Sequence, residues 1–356
     1  MRLYLVVFIA VFAGPALALP LHPTARAVIT QSITGAIRPG FAAYAAETAR
    51  LVESAKNDCG VSEERLEALQ GQFRVVVLAW SRIELFRIGP LTLDNRSDKI
   101  LFWPDRKGIA LRQVQAVLAG PDWDAFDATT LKDKSVAVQG LGALEYVLFG
   151  TGSEQLATIE SDFRCNYALA IATLLSGTAA QMSAEWNDES GISARLIRPS
   201  PDDVDFRSED EVKQALVGLL AHGVEAIRDQ RILPFLGREG EKAKPKSALF
   251  WRSSMTISSI LANFDGLRVL FAASELGAYV PTEDSRIGDE AMTEFAKVAT
   301  SVAAITGPVE QVLGDAGELK ALQDIVVSSQ QLGKLLGEQL PAALGLSVGF
   351  SSLDGD

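Results

Sequence analysis

Apolar residues recur at three- and four-residue steps along most of the chain, the period of amphipathic helices. Between 22 and 53 the repeat runs through Val28, Ile29, Ile33, Ala36, Ile37, Phe41 and Tyr44, with Pro39 placed to kink or interrupt it. A second helix is predicted to begin after Cys59-Gly60, with Ser62 at its N-cap. It continues through Leu66, Leu69, Phe73, Val77, Trp80 and Ile83 to Ile88, before Gly89-Pro90. Within it, 73–77 has the β-branched content of a strand, but the helical repeat continues on both sides and helix is the reading. Further helices are predicted over 109–118, 136–149 and 154–187. The cluster Pro199-Ser200-Pro201-Asp202-Asp203 then breaks the pattern. Beyond it, helices are expected over 209–233, 248–276, 289–305 and 318–339, with a charged loop at 237–247. The pattern predicts an all-α protein of two four-helix-bundle-like lobes, 19–198 and 208–356, joined by a linker at 199–207. Their similar layout suggests an internal duplication, although no residue-level repeat accompanies it.

The first 18 residues change the picture of where this protein works. Arg2, the apolar run Leu3 to Ala13 and the small-x-small site Ala16-Leu17-Ala18 form a signal peptide, so the mature chain is expected to start near Leu19. No later stretch reaches the ~18 uninterrupted apolar residues of a membrane span. A soluble protein of the periplasm or cell envelope is therefore expected. In that compartment Cys59 and Cys165 could form a disulfide, two free buried thiols being the alternative. The formal net charge of −12 argues against a nucleic-acid partner.

One carboxylate stands out. The run Val138 to Gly150 reads VQGLGALEYVLFG, and on a helix Glu145 has Leu141, Gly142, Leu148 and Phe149 as its one-turn neighbours. A buried carboxylate needs a cation, a metal or hydrogen-bond donors. An arginine on a neighbouring helix is one solution, and a ligand site at a helix–helix interface is the other. Gly140 and Gly142 weaken the helix, which is understandable if a backbone or a ligand comes close there.

Arg82, Glu84, Arg87 and Asp265 are the other candidate ligand-binding residues. Glu84 and Arg87 are spaced to pair across one helical turn, and Asp265 is the second half's analogue of Glu145. Convergence of Glu145, Glu84 and Asp265 would offer oxygen ligands to a hard cation. Ordinary salt bridges are the competing account of all of them. The two histidines are His22 and His222, and His222 with Glu225 forms a three-residue spacing that is a minor metal candidate. No nucleophile elbow, phosphate loop, dinucleotide fingerprint or haem-attachment motif is present.

The segments Ala79-Trp80 through Arg87-Ile88-Gly89-Pro90, Phe102-Trp103-Pro104-Asp105 and Gly140 to Gly150 together resemble the imelysin family of exported bacterial proteins. Phe250-Trp251-Arg252-Ser253 and Leu261-Ala262-Asn263-Phe264-Asp265-Gly266-Leu267 are similar to that family's second half. The resemblance implies an all-helical fold of two lobes, an envelope location, an association with iron-regulated uptake, and a place among metallopeptidases that rests on a Gly-x-His-x-x-Glu motif. Here Gly140 and Glu145 match the motif, but Gly142 stands where its histidine belongs. Glycine offers a metal nothing. The expectation is a non-enzymatic periplasmic binding protein that holds a small ligand or metal complex near Glu145 beside envelope uptake components; its cofactor is left unassigned, iron or another metal ion being the candidate. A metallopeptidase with different ligands is the alternative.

Overall fold

The computed structural model describes residues 23–105, 107–120, 122–158, 162–237 and 241–346; the signal peptide and His22 lie outside them. Among the described residues all regular structure is helical. The chain runs through α1 (Ala25–Ser32), α2 (Arg38–Asp58), α3 (Glu63–Ile83), α4 (Arg96–Ile100), α5 (Ile109–Ala119), α6 (Ala128–Leu131), α7 (Gly140–Phe149), α8 (Asp162–Asn187) and α9 (Ile192–Ile197). Next come α10 (Glu209–Ala226), α11 (Leu233–Leu236), α12 (Thr256–Ser274), α13 (Leu276–Tyr279), α14 (Arg286–Ala303), α15 (Val309–Val312), α16 (Ala316–Lys334) and α17 (Leu340–Ala343). No helix among them is long and apolar enough to cross a membrane.

In the first half α2 packs on both α3 and α8, and α7 lies on α8. In the second, α14 packs on α16 and α12, while α10 packs on α16 and α12. The halves meet where α12 lies against α3 and where α1 reaches across to α10 and α12. Trp80, Trp186, Tyr44, Phe41 and Phe73 are fully buried, and the rings of Phe41 and Trp186 sit 5.8 Å apart. Cys59, at the end of α2, is bridged to Cys165 of α8 across a sequence separation of 106. The bridge is flanked by the Gly60 N–H donating to the Leu156 carbonyl at 2.8 Å.

Several local expectations meet a physical correction. Pro39 does not end the first helix: the helical backbone runs on from α1 through a π turn, Ile33–Ile37, into α2, and that turn interrupts the α pattern just before Pro39. Ser62 does cap α3, accepting from the Arg65 N–H at 3.3 Å. The β-branched stretch is helical because Phe73, Val76 and Val77 are buried in the helix interface. That helix ends at Ile83, five residues earlier than expected, so Glu84 to Ile88 leave it. The predicted helix over 136–149 divides at Gln139, and that over 154–187 into a 3₁₀ turn and α8. The predicted helix over 248–276 starts only at Thr256. Phe250 (φ +59°) and Ser254 (φ +58°) lie in the left-handed region, which no α-helix admits.

Candidate functional site

The start of α7 is fixed by its neighbours. Arg96 pairs with Glu185 of α8 through two hydrogen bonds, of 2.5 and 2.9 Å, and so holds α4 against the core. The last carbonyls of α4 then press on α7. A Cβ on Gly140, at φ +72°, would lie 2.4 Å from the Ile100 oxygen and 2.5 Å from that of Lys99. Glycine is therefore the residue that lets the helix begin there. Gln139 secures the same point by donating to the carbonyls of Leu131 (2.8 Å) and Lys134 (2.7 Å). Gly142 is different, since a Cβ there would meet nothing within 4 Å. Of the two glycines, one admits a close backbone and the other faces open space.

Glu145 itself is 4% exposed. Its Oε1 accepts two hydrogen bonds from Ser253, from the backbone N–H at 2.9 Å and from Oγ at 2.7 Å. Burial pushes its carboxyl above the usual range, against the pull of the Ser253 donors and of the Arg252 guanidinium. Arg252 lies over the rings of Tyr146 (5.2 Å) and Trp251 (4.4 Å). Arg74 of α3 donates to the Ser253 carbonyl at 3.2 Å, so Ser253 is held from α7 and α3 together. The two left-handed residues around it make this possible: they turn the backbone N–H and side chain of Ser253 toward α7 instead of into a helix.

The other candidate carboxylates do not converge on Glu145. Glu84 is buried and pairs with Arg231, on a π turn at Ile227–Ile232, and not with the exposed Arg87. The one-turn pairing of Glu84 with Arg87 fails because α3 has already ended. Arg231 donates to Glu84 through Nε at 3.1 Å and Nη2 at 2.5 Å, and Asn263 of α12 adds a bond at 2.9 Å. Asp265 sits on the surface between Arg82 (3.1 Å) and Arg268 (2.7 Å). Burial acts to raise its carboxyl, but those two arginines outweigh it and hold it below the usual range. Beside it, a Cβ on Gly266 would lie 2.0 Å from the Arg82 carbonyl oxygen, so α3 and α12 touch backbone to backbone here.

His222 and Glu225 face each other at 3.4 Å on the half-exposed side of α10. Among the described residues no three His, Cys, Asp or Glu side chains come together as a metal cluster. The donor set therefore does not fit a catalytic metal: each buried carboxylate already accepts N–H or O–H bonds, and Gly142 adds no ligand.

Ser253, Arg231 and Asn263 went unnoticed as site residues in the sequence, although Ser253 and Asn263 lie inside the two second-half segments that carry the resemblance. Arg231 has no such flag, since nothing in a linear pattern points a buried arginine at a partner 147 residues away. Asp105, at the end of the first-half segment, caps α5 by accepting from the N–H groups of Ile109 and Ala110, each at 2.8 Å.

Residues 37–337 match the family model described as Imelysin. The fold is similar to that of an imelysin-like protein from Psychrobacter arcticus 273-4, at 22% identity and a TM-score of 0.73, covering 92% of this chain and 97% of that one. It is also similar to a protein from Parabacteroides distasonis ATCC 8503 named as a candidate iron-regulated protein A precursor. There the identity is 12% and the TM-score 0.73, with the same two coverages. No curated protein matches the chain.

Proposed function

Because this chain belongs to the imelysin family, we propose that it acts as a non-enzymatic binding protein of the periplasm or cell envelope, exported by the leader that ends near Leu19. Its ligand is a small molecule or metal complex taken up at the interface of the two helical halves near Glu145, in a process linked to iron uptake. The observation that carries this reading is the state of the family motif. Gly142 leaves open space where the motif has histidine, and Glu145 is engaged with Ser253. A metal-activated water needs a metal with an open position and a free carboxylate, whereas a binder needs only a preformed pocket. The iron link is supported by the name of one structural relative.

The competing metallopeptidase reading has to place its metal elsewhere, and His222 with Glu225 is the histidine–carboxylate pair among the described residues that it would use. Elemental analysis of the purified mature protein, then calorimetry with ferrous, ferric, zinc and copper ions, separates the two. The expected result is no stoichiometric tightly held metal ion in the wild type, and metal affinity gained by Gly142→His, whose Cβ meets nothing within 4 Å. Stoichiometric metal that disappears in Glu145→Gln or His222→Ala would overturn the binder reading.

A further inference from the structure

A second feature lies between α3 and the π turn at Ile227–Ile232. A small cavity of about 30 Å³, partly open to solvent, is lined by Trp80, Glu84, Arg87, Trp103, Gln230 and Arg231, among others. Three of these residues share an unusual property. The indole N–H groups of Trp80 and Trp103 and the Nη1 group of Arg231 are buried and meet no hydrogen-bond acceptor among the described residues. Trp80 is 1% and Arg231 7% exposed.

Indole and guanidinium nitrogens donate and cannot accept. Buried donors are normally satisfied, and three orphans around one small cavity are costly unless an acceptor comes to them. In the Arg231 guanidinium, Nε and Nη2 are fixed on Glu84, and Nη1 is the edge left without a partner among the described residues. The cavity has room for two or three water-sized groups, which suits the two oxygens of a carboxylate and not the four of a sulfate or phosphate. Glu84 neutralises Arg231, while the exposed Arg87 on the lining supplies the cation that offsets a second carboxylate.

We infer that this cavity binds the carboxylate group of a ligand through Trp80, Trp103 and Arg231. The cavity is separate from Glu145: its biological sense rests on the binding reading above, while its three donors are independent of that reading.

The test is calorimetric titration of the full mature protein with acetate and, separately, with sulfate. Trp103→Phe and Trp80→Phe keep the rings while removing the donors. Trp186→Phe removes another buried, unpartnered indole N–H that lies away from the cavity. Acetate is expected to bind saturably at one site and to weaken roughly tenfold or more in Trp103→Phe and Trp80→Phe, with Trp186→Phe unchanged. A short peptide with a free C-terminus, compared with its amide, tells whether the carboxylate can come from a chain end as well as from a free organic acid. Absence of saturable acetate binding to the wild type, equal affinity in folded Trp103→Phe, or sulfate binding as tightly as acetate would overturn the assignment. Metal content of the same preparation is read independently: a metal-loaded protein that still binds acetate would lose the binder reading and keep the carboxylate site.

Discussion

Glu145 on α7 and Ser253, 108 residues later, are joined by two hydrogen bonds to a single carboxylate oxygen, and both residues are essentially sealed from solvent. The contact ties the first half of the chain to the segment that leads into α12. A buried carboxylate on this helix therefore reads first as a clamp between the halves.

Loss of the Ser253 hydroxyl leaves Glu145 with one donor fewer in a dry environment. Ser253→Ala is expected to destabilise the protein by about 1.5–3 kcal/mol, the range for hydrogen bonds to charged groups. Adding Glu145→Gln should cost less in the Ser253→Ala background than in the wild type, because the two residues share one interaction. Urea denaturation of the four proteins measures the coupling, and strict additivity would contradict the clamp.

The raised Glu145 carboxyl also gives a pH signature. A carboxyl whose folded pKa lies above its unfolded value favours the protonated fold. Its contribution is fully present below the unfolded pKa and is lost as pH rises through the folded one. Asp265 and Glu185, held low by their arginines, act in the opposite direction, losing stability as pH falls through their folded pKa values. The Glu145 part is isolated by comparing melting temperatures of wild type and Glu145→Gln across pH. The melting temperature of the Gln variant relative to wild type should rise as pH rises above the ordinary carboxylate range, and a constant difference would remove the desolvation argument.

The two motif glycines should behave oppositely. Gly140→Ala puts a Cβ into the carbonyls of Lys99 and Ile100 at a positive φ, and about 2–4 kcal/mol of destabilisation is expected. Gly142→Ala meets nothing and should stabilise α7 by up to about 1 kcal/mol. Thermal and urea unfolding of both variants check the pair.

Helix type and order were legible because burial repeats at the helical period over long stretches, as in Phe73, Val76, Val77 and Trp80. What was not legible is where a helix stops for a tertiary reason. Nothing in the apolar rhythm of 248–276 marks Phe250 and Ser254 as left-handed, and that local break is what delivers Ser253 to Glu145. Glu84 was found as a candidate, but its partner was misassigned to Arg87 because sequence spacing reports neighbours along a helix and not across one. Pro39 marks an interruption, but nothing in the sequence says that it takes the form of a π turn before the proline in a continuous helical run.

The Glu84–Arg231 pair offers the sharpest stability test. Both side chains are buried, at 6% and 7% exposure, and Asn263 completes the carboxylate's bonding. Truncating one partner strands an uncompensated charge, so Arg231→Met or Glu84→Leu alone should cost about 3–5 kcal/mol. Replacing both removes the stranded charge together with the desolvation that the pair suffers, and the double variant is expected to recover most of that loss. Urea midpoints of the two single variants and the double variant decide it. If the double variant were as unstable as the sum of the singles, the two side chains would be energetically uncoupled, and the π turn at Ile227–Ile232 could not be explained as a device that carries Arg231 to its carboxylate. If the double variant recovers yet no longer binds acetate, the pair is kept for the open Nη1 edge of Arg231, and stability is the lesser of its two roles.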